Sequence, residues 1–299
     1  MSDPSVAAGG RWSVTFAAGP ESIPDPAGIR ILWTDEDDAY AVGRPVGAAD
    51  WDYLVEVSGV AWTTIHVARR LAVVRALEPG IPDATLRHIW LDQIHPVLLD
   101  FDGSLVLHGG AVRRHGQGLV ILGPSGRGKS TLVASLASPE SPALNDDGVV
   151  IGDGDEGHTV APTYPGLRLL PDSLARLVPA AVETSPVSHY ASKRRIHRPG
   201  HLSAAPAPLG ALVFLDPPRA DGAIAVERIP PARACMGLVS QSFALDPTDR
   251  TRAASRLRQA AALAAAVPAF TLAYPRDYDR LPDVHAALFA AVDGTGARP

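Results

Sequence analysis

Apolar and polar positions alternate in short runs through the N-terminal third of the chain and give way to longer, continuously apolar runs further on. Trp12-Ser-Val-Thr-Phe16, Ile29-Arg-Ile-Leu-Trp33 and Tyr53-Leu-Val-Glu-Val57 are rich in β-branched and aromatic residues and are separated by Gly, Pro and Asp, which predicts three strands. The spacing of apolar residues predicts a helix from about Thr63 to Ala76 and a second from about Ala84 to Leu99, with Pro96 kinking or ending it. Residues 1–100 therefore read as a small α+β region.

After Asp102-Gly103 the pattern changes. Ser104-Leu-Val-Leu-His108 reads as a strand, and a hairpin-like return through Arg113-Arg-His-Gly-Gln-Gly118 leads into Leu119-Val-Ile-Leu122, a short apolar run closed by glycine that fits a buried central strand. Further strands are expected at Val149-Val-Ile151 and Ala211-Leu-Val-Phe-Leu215, with helices near Pro171–Leu177 and Ala253–Ala266. Residues 101–299 thus alternate in the α/β manner.

Composition narrows the possibilities. With 299 residues, 46% hydrophobic and 20% charged, the chain has enough apolar material for a large core and lies outside the range of disordered sequences. A net charge of −5 with scattered basic residues provides no footprint for nucleic acid. Cys235 is the single cysteine, so neither an internal disulfide nor a cysteine zinc cluster is available. No signal peptide and no membrane span is read from the pattern, since Pro268 interrupts the Ala-rich segment 259–267; a cytoplasmic setting is expected.

The clearest chemistry lies in Gly123-Pro-Ser-Gly-Arg-Gly-Lys-Ser130, which fits the P-loop pattern G-x4-G-K-S between a predicted strand and a predicted helix over Ser130–Ala137. Glycines let a backbone wrap closely around phosphate oxygens and present N–H groups to them, and a helix N-terminus adds a favourable dipole. Gly123, Ser125, Gly126, Gly128, Lys129, Ser130 and Thr131 are the expected nucleotide-binding residues. Lys129 would meet the β- and γ-phosphates, Ser130 would ligate Mg²⁺, and Thr131 would support the helix start.

Downstream, Asn145-Asp146-Asp147 precedes the run Gly148-Val-Val-Ile151. Paired carboxylates suit phosphoryl transfer, because one can hold Mg²⁺ while the other accepts a proton from the attacking hydroxyl. A surface turn is the plain alternative for Asn-Asp-Asp-Gly. Asp216, at the end of Ala211–Leu215, is a second metal candidate, or a strand-ending turn residue before Pro217-Pro218. There is no Asn-Lys-x-Asp or Leu-Ser-Gly-Gly-Gln segment of the kinds found in GTPases and transporter ATPases.

His108-Gly109, the loop Gly123–Ser130 and Asp146-Asp147, in this order, resemble the catalytic core of the HPr kinase/phosphorylase family. The resemblance covers residues 101–152 best. It implies a P-loop kinase domain related to ATP-dependent phosphoenolpyruvate carboxykinase, using ATP and Mg²⁺ to phosphorylate a serine hydroxyl. It places His108 beside the reacting phosphate, makes Lys129 a phosphate ligand and Asp146 the general base, and gives Asp147 with Ser130 to the metal, though the two aspartates can exchange roles. The family's Glu-x-Arg-Gly-like segment is replaced by Thr163-Tyr-Pro-Gly-Leu-Arg168, so the resemblance supports the forward reaction only. That segment is similar to divergent members acting in peptide modification, including kinases of lasso-peptide precursors.

Ser192-Lys-Arg-Arg-Ile-His-Arg198 is the one concentrated basic stretch, and Lys193, Arg194 and Arg195 fit a loop near the transferred phosphate or a solvated polar loop. The expected function is a kinase acting on a serine of a peptide or protein, with a homo-oligomer as what the resemblance implies and no nucleic-acid or membrane partner. A P-loop ATPase, a non-catalytic nucleotide-binding module and a small-metabolite kinase are the alternatives.

Overall fold

The computed structural model describes residues 12–17, 31–34, 39–45, 49–57, 59–154, 157–164, 166–198 and 200–294. The chain divides into two compact units, Met1–Leu99 with Pro186–Lys193, and Asp100–Ser185 with Arg194–Pro299.

The first unit carries β1 (Ser13–Ala17), β2 (Ile31–Thr34), β3 (Ala39–Gly43), β4 (Tyr53–Val57), β5 (Ala61–His66) and β6 (Leu71–Ala76) in one sheet of order β1-β6-β5-β4-β3-β2. Residues 29 and 30 of the predicted second strand lie outside the described residues. The helix expected over Thr63–Ala76 is instead the antiparallel pair β5–β6, with Thr63 opposite Val74. Thr63, Thr64, Ile65, Val73 and Val74 are β-branched and stiff at χ1, and Leu71–Ala76 alternates half-buried and buried positions with the period of a strand. Arg70, at φ 50°, closes the connecting turn, where its N–H bonds the Val67 carbonyl at 3.1 Å.

Helix α1 (Asp83–His88), a π-helical stretch Ile89–Ile94 and α2 (His95–Phe101) follow without a break. Pro96 does not end this helix. It has no N–H to offer the carbonyl four residues back, Asp92, which lies in the widened stretch. Thr85 Oγ1 meets His189 Nδ1 and the His189 N–H, each at 3.0 Å, which ties segment 186–193 to this unit.

The second unit contains β7 (Leu105–Arg114), β8 (Gln117–Leu122), α3 (Lys129–Leu136), β9 (Ala143–Asn145), β10 (Gly148–Gly154), β11 (Gly157–Pro162), β12 (Arg168–Leu169), α4 (Pro171–Leu177), β13 (Thr184–Pro186), β14 (Arg194–Ile196), β15 (Ala207–Leu215), β16 (Ala225–Arg228), α5 (Pro231–Ser240), α6 (Arg250–Ala266), β17 (Ala269–Ala273) and α7 (Leu281–Asp293). Its main sheet runs β11-β10-β7-β8-β15-β17-β16, with β9 on β7; β12-β14-β13 form a smaller sheet. The architecture is mixed α/β.

Strands β8, β15 and β17 are parallel neighbours, and their continuous apolar runs follow from burial on both faces. Val120 and Leu122 point into a core shared with Ala234 and Leu238 of α5 and with Ala260 and Leu263 of α6. Leu119 and Ile121 point the other way, into a core with Leu132 and Val133 of α3 and with Val284 and Leu288 of α7. Truncating Leu122, fully buried, to alanine would cost about 2–5 kcal/mol. Among the described residues no helix is long and apolar enough to cross a membrane.

Candidate active site

Sheet register assembles the site. In β7, Gly109 lies opposite Leu122, the residue before the glycine-rich loop, and His108 lies opposite Gly148, the residue after the paired acids. The Gly109 N–H donates to the Asp147 carbonyl at 3.2 Å. Three segments separated in sequence are thereby held at one level of adjoining strands. The β7–β8 hairpin is closed by His115 and Gly116, both at positive φ as a two-residue turn requires.

The loop Gly123–Gly128 joins β8 to α3 as the pattern predicts. Gly123 has φ 147°, and a Cβ there would come within 3.2 Å of the Leu215 carbonyl oxygen. Gly128 starts α3 in the left-handed region, at φ 94°, with the Tyr274 hydroxyl 3.3 Å from where a Cβ would sit. Burial pushes the Tyr274 hydroxyl up to about 12, so it stays a neutral donor. Lys129 is buried, and its Nζ donates to the carbonyls of Gly123 at 2.8 Å and Pro124 at 3.2 Å. Arg276 donates to the Gly126 carbonyl from the loop after β17. Ser125 and Gly126 are exposed and Ser130 is half-buried. Thr131 Oγ1 meets Ser173 Oγ at 2.9 Å, which in turn meets the Tyr278 hydroxyl at 2.9 Å, so Thr131 joins α3 to α4.

The two acids occupy different surroundings. Asp146 is 1% exposed; its Oδ2 accepts the Arg168 backbone N–H at 2.6 Å, and its Oδ1 accepts from Arg168 Nε and Nη2, each at 3.3 Å. Asp147 has 28% of its side chain exposed, with Oδ2 2.5 Å from Arg168 Nη2. Asn145 sets the turn between them: its Oδ1 accepts the N–H groups of Asp147 at 2.6 Å and Gly148 at 2.9 Å, while its Nδ2 donates to Thr163 Oγ1 and the Tyr164 carbonyl. His108 stands with Nε2 3.8 Å from Asp147 Oδ1 and stacks on Phe243, ring centroids 5.8 Å apart.

The basic stretch is partly a strand where a loop is expected, because Arg195 pairs with Arg168 across β14 and β12. Arg194 is tied to Thr184, through Oγ1 at 2.8 Å and the carbonyl at 3.0 Å. The Arg195 guanidinium lies 5.3 Å from the centroid of the Tyr164 ring, and that of Arg168 lies 5.5 Å from it. Lys193 falls in the segment grouped with the first unit. Asp216 follows β15, whose Phe214 is opposite Leu122, and its carboxylate faces Arg233 at 3.6 Å.

Arg168 is the residue of this cluster that the sequence pattern does not single out. Its one signal is a charge inside the apolar run Leu167-Arg-Leu-Leu170, where a buried cation requires buried partners. Among the described residues no group of three or more His, Cys, Asp or Glu is placed to hold a metal by itself.

No protein-family model and no curated protein matches this chain. Among solved structures it is similar to the Hpr(Ser) kinase/phosphatase from Coxiella burnetii, at 9% identity and a TM-score of 0.34, over 64% of this chain and 99% of that one.

Proposed function

We propose that this chain is an ATP- and Mg²⁺-dependent phosphotransferase that moves the γ-phosphoryl group to a hydroxyl, with a serine of a peptide or protein as acceptor. The observation that carries this reading is the register that brings the loop at Gly123, His108 and Asp147 to one level of β8, β7 and β10.

Lys129, Ser130 and the loop N–H groups hold the phosphates, on a backbone that turns through positive φ at Gly123, Gly126 and Gly128. Ser130 would hold Mg²⁺ together with the nucleotide's own phosphates, and the ion would supply charge neutralisation on the phosphate oxygens. Asp147, the half-exposed acid, takes the proton as the acceptor oxygen bonds to phosphorus and the bond to the β-phosphate oxygen breaks. Asp146, buried on Arg168, positions the pair. This moves the proton-accepting role that the family resemblance implies for Asp146 to Asp147. Positioning and charge neutralisation supply most of the rate.

Incubation with γ-labelled ATP, Mg²⁺ and serine-containing peptides tests the reading, and a ribosomal peptide precursor is the first acceptor to try. Label should appear on the acceptor and disappear in Lys129→Ala and Asp147→Asn. Phosphate release that ignores the acceptor would sink transfer and favour the ATPase. That second reading has its own support in Asp216, which ends the parallel strand next to β8; it requires Asp216→Asn, rather than Asp147→Asn, to stop turnover.

A further inference from the structure

We infer that Arg276 is a positioning residue that clamps the glycine-rich loop into its phosphate-receiving shape, an inference that rests on the nucleotide reading above. Its guanidinium reaches the Gly126 carbonyl across 150 positions of sequence. The strands explain how: β17 pairs in parallel with β15, and β15 with β8, so the segment leaving β17 emerges at the same C-terminal end of the strands as the loop leaving β8.

A carbonyl and the N–H that follows it point to opposite sides of a trans peptide. Holding the Gly126 oxygen on one side therefore turns the Arg127 N–H to the other, where it donates to the Pro124 carbonyl at 3.4 Å and fixes the turn of the loop. Lys129 does the same from beneath for the carbonyls of Gly123 and Pro124. Three loop carbonyls, the groups that would repel an anion, are thus occupied by cations, and the loop can turn its remaining N–H groups toward phosphate oxygens. Arg276 is exposed, and a single exposed contact of this kind adds little to folding stability. The effect of the contact accordingly falls on ligand binding.

The test is calorimetric titration of the full chain with Mg²⁺ and either ATP or inorganic tripolyphosphate. Arg276→Ala should weaken both ligands by the same factor, about tenfold, the equivalent of one hydrogen bond of ordinary strength, with an unchanged melting temperature. Arg276→Gln, which keeps an N–H donor without the charge, should recover most of the affinity for both. Lys129→Ala should bind neither. Unchanged binding in Arg276→Ala, or weakened ATP with unchanged tripolyphosphate, overturns the clamp, the latter by assigning the arginine to the nucleoside. If Arg276→Ala melts early, Arg276→Gln decides: lost affinity for both ligands in a folded variant overturns the clamp. Wild-type protein that binds neither ligand, or Lys129→Ala that binds both normally, removes the nucleotide reading and the clamp with it.

Discussion

Arg168 grips Asp147 with its guanidinium, Nη2 standing 2.5 Å from Oδ2, and leaves the other oxygen of that carboxylate facing His108 at 3.8 Å. The same arginine encloses Asp146 through both backbone and side chain. One cation thus sorts two adjacent acids into a buried anchor and an accessible one.

The sorting predicts opposite mutant phenotypes. Asp146→Asn breaks a buried ion pair and should lower stability by about 3–5 kcal/mol. Asp147→Asn, at a half-exposed position, should melt close to wild type yet lose transfer to acceptor. Thermal melts alongside label transfer separate the two, and the reverse pattern would return proton acceptance to Asp146.

Asn145 makes its hydrogen bonds in a fully buried position. Asn145→Ala leaves the N–H of Asp147 unpaired and should cost about 1–3 kcal/mol while displacing the accessible acid. Denaturant unfolding reads the first effect; a fall in kcat with little change in nucleotide affinity reads the second.

Gly128→Ala must hold a side chain at φ 94° against the Tyr274 hydroxyl. Strain of about 1–3 kcal/mol is expected at the start of α3. Nucleotide affinity should drop with it. Normal binding and melting in this variant would mean that the loop relaxes freely.

Two buried groups pull stability in opposite directions with pH. Burial lowers His95 from 6.5 to about 4, so the unfolded chain takes up a proton that the folded one refuses, and stability is lost as pH falls through that range. Burial raises Asp100 from 3.8 to about 6 despite its contact with Arg256 at 2.9 Å, so its contribution is complete below 3.8 and is lost as pH rises through about 6. Relative to wild type, His95→Gln should gain stability on acidification from about 6.5 to about 4, and Asp100→Asn should lose it, each on the order of 2 kcal/mol. Urea titrations across that range check both signs.

The strand–loop–helix around Gly123 is legible because its signals are local: an apolar run, glycines at fixed offsets and a helical stretch. Thr63–Ala76 is not. Val67, Leu71 and Val74 satisfy a helical spacing, and only the β-branched crowding and the turn at Arg70 favour the hairpin. Asp146 and Asp147 are adjacent and chemically identical in sequence. Arg168, which distinguishes them, and Arg276, which reaches the loop, act across folded distance and leave no periodic trace.

The tethering of His108 between β8 and β10 also bears on which changes of length the chain will tolerate. A residue inserted within β7 would shift one half of the strand by a full pleat, sending His108 to the opposite face and separating Gly109 from Asp147. The same residue inserted at His115-Gly116 only lengthens a turn. Variants of this chain that differ in length should therefore do so at the hairpin tip and keep the stretch from His108 to Arg114 uninterrupted.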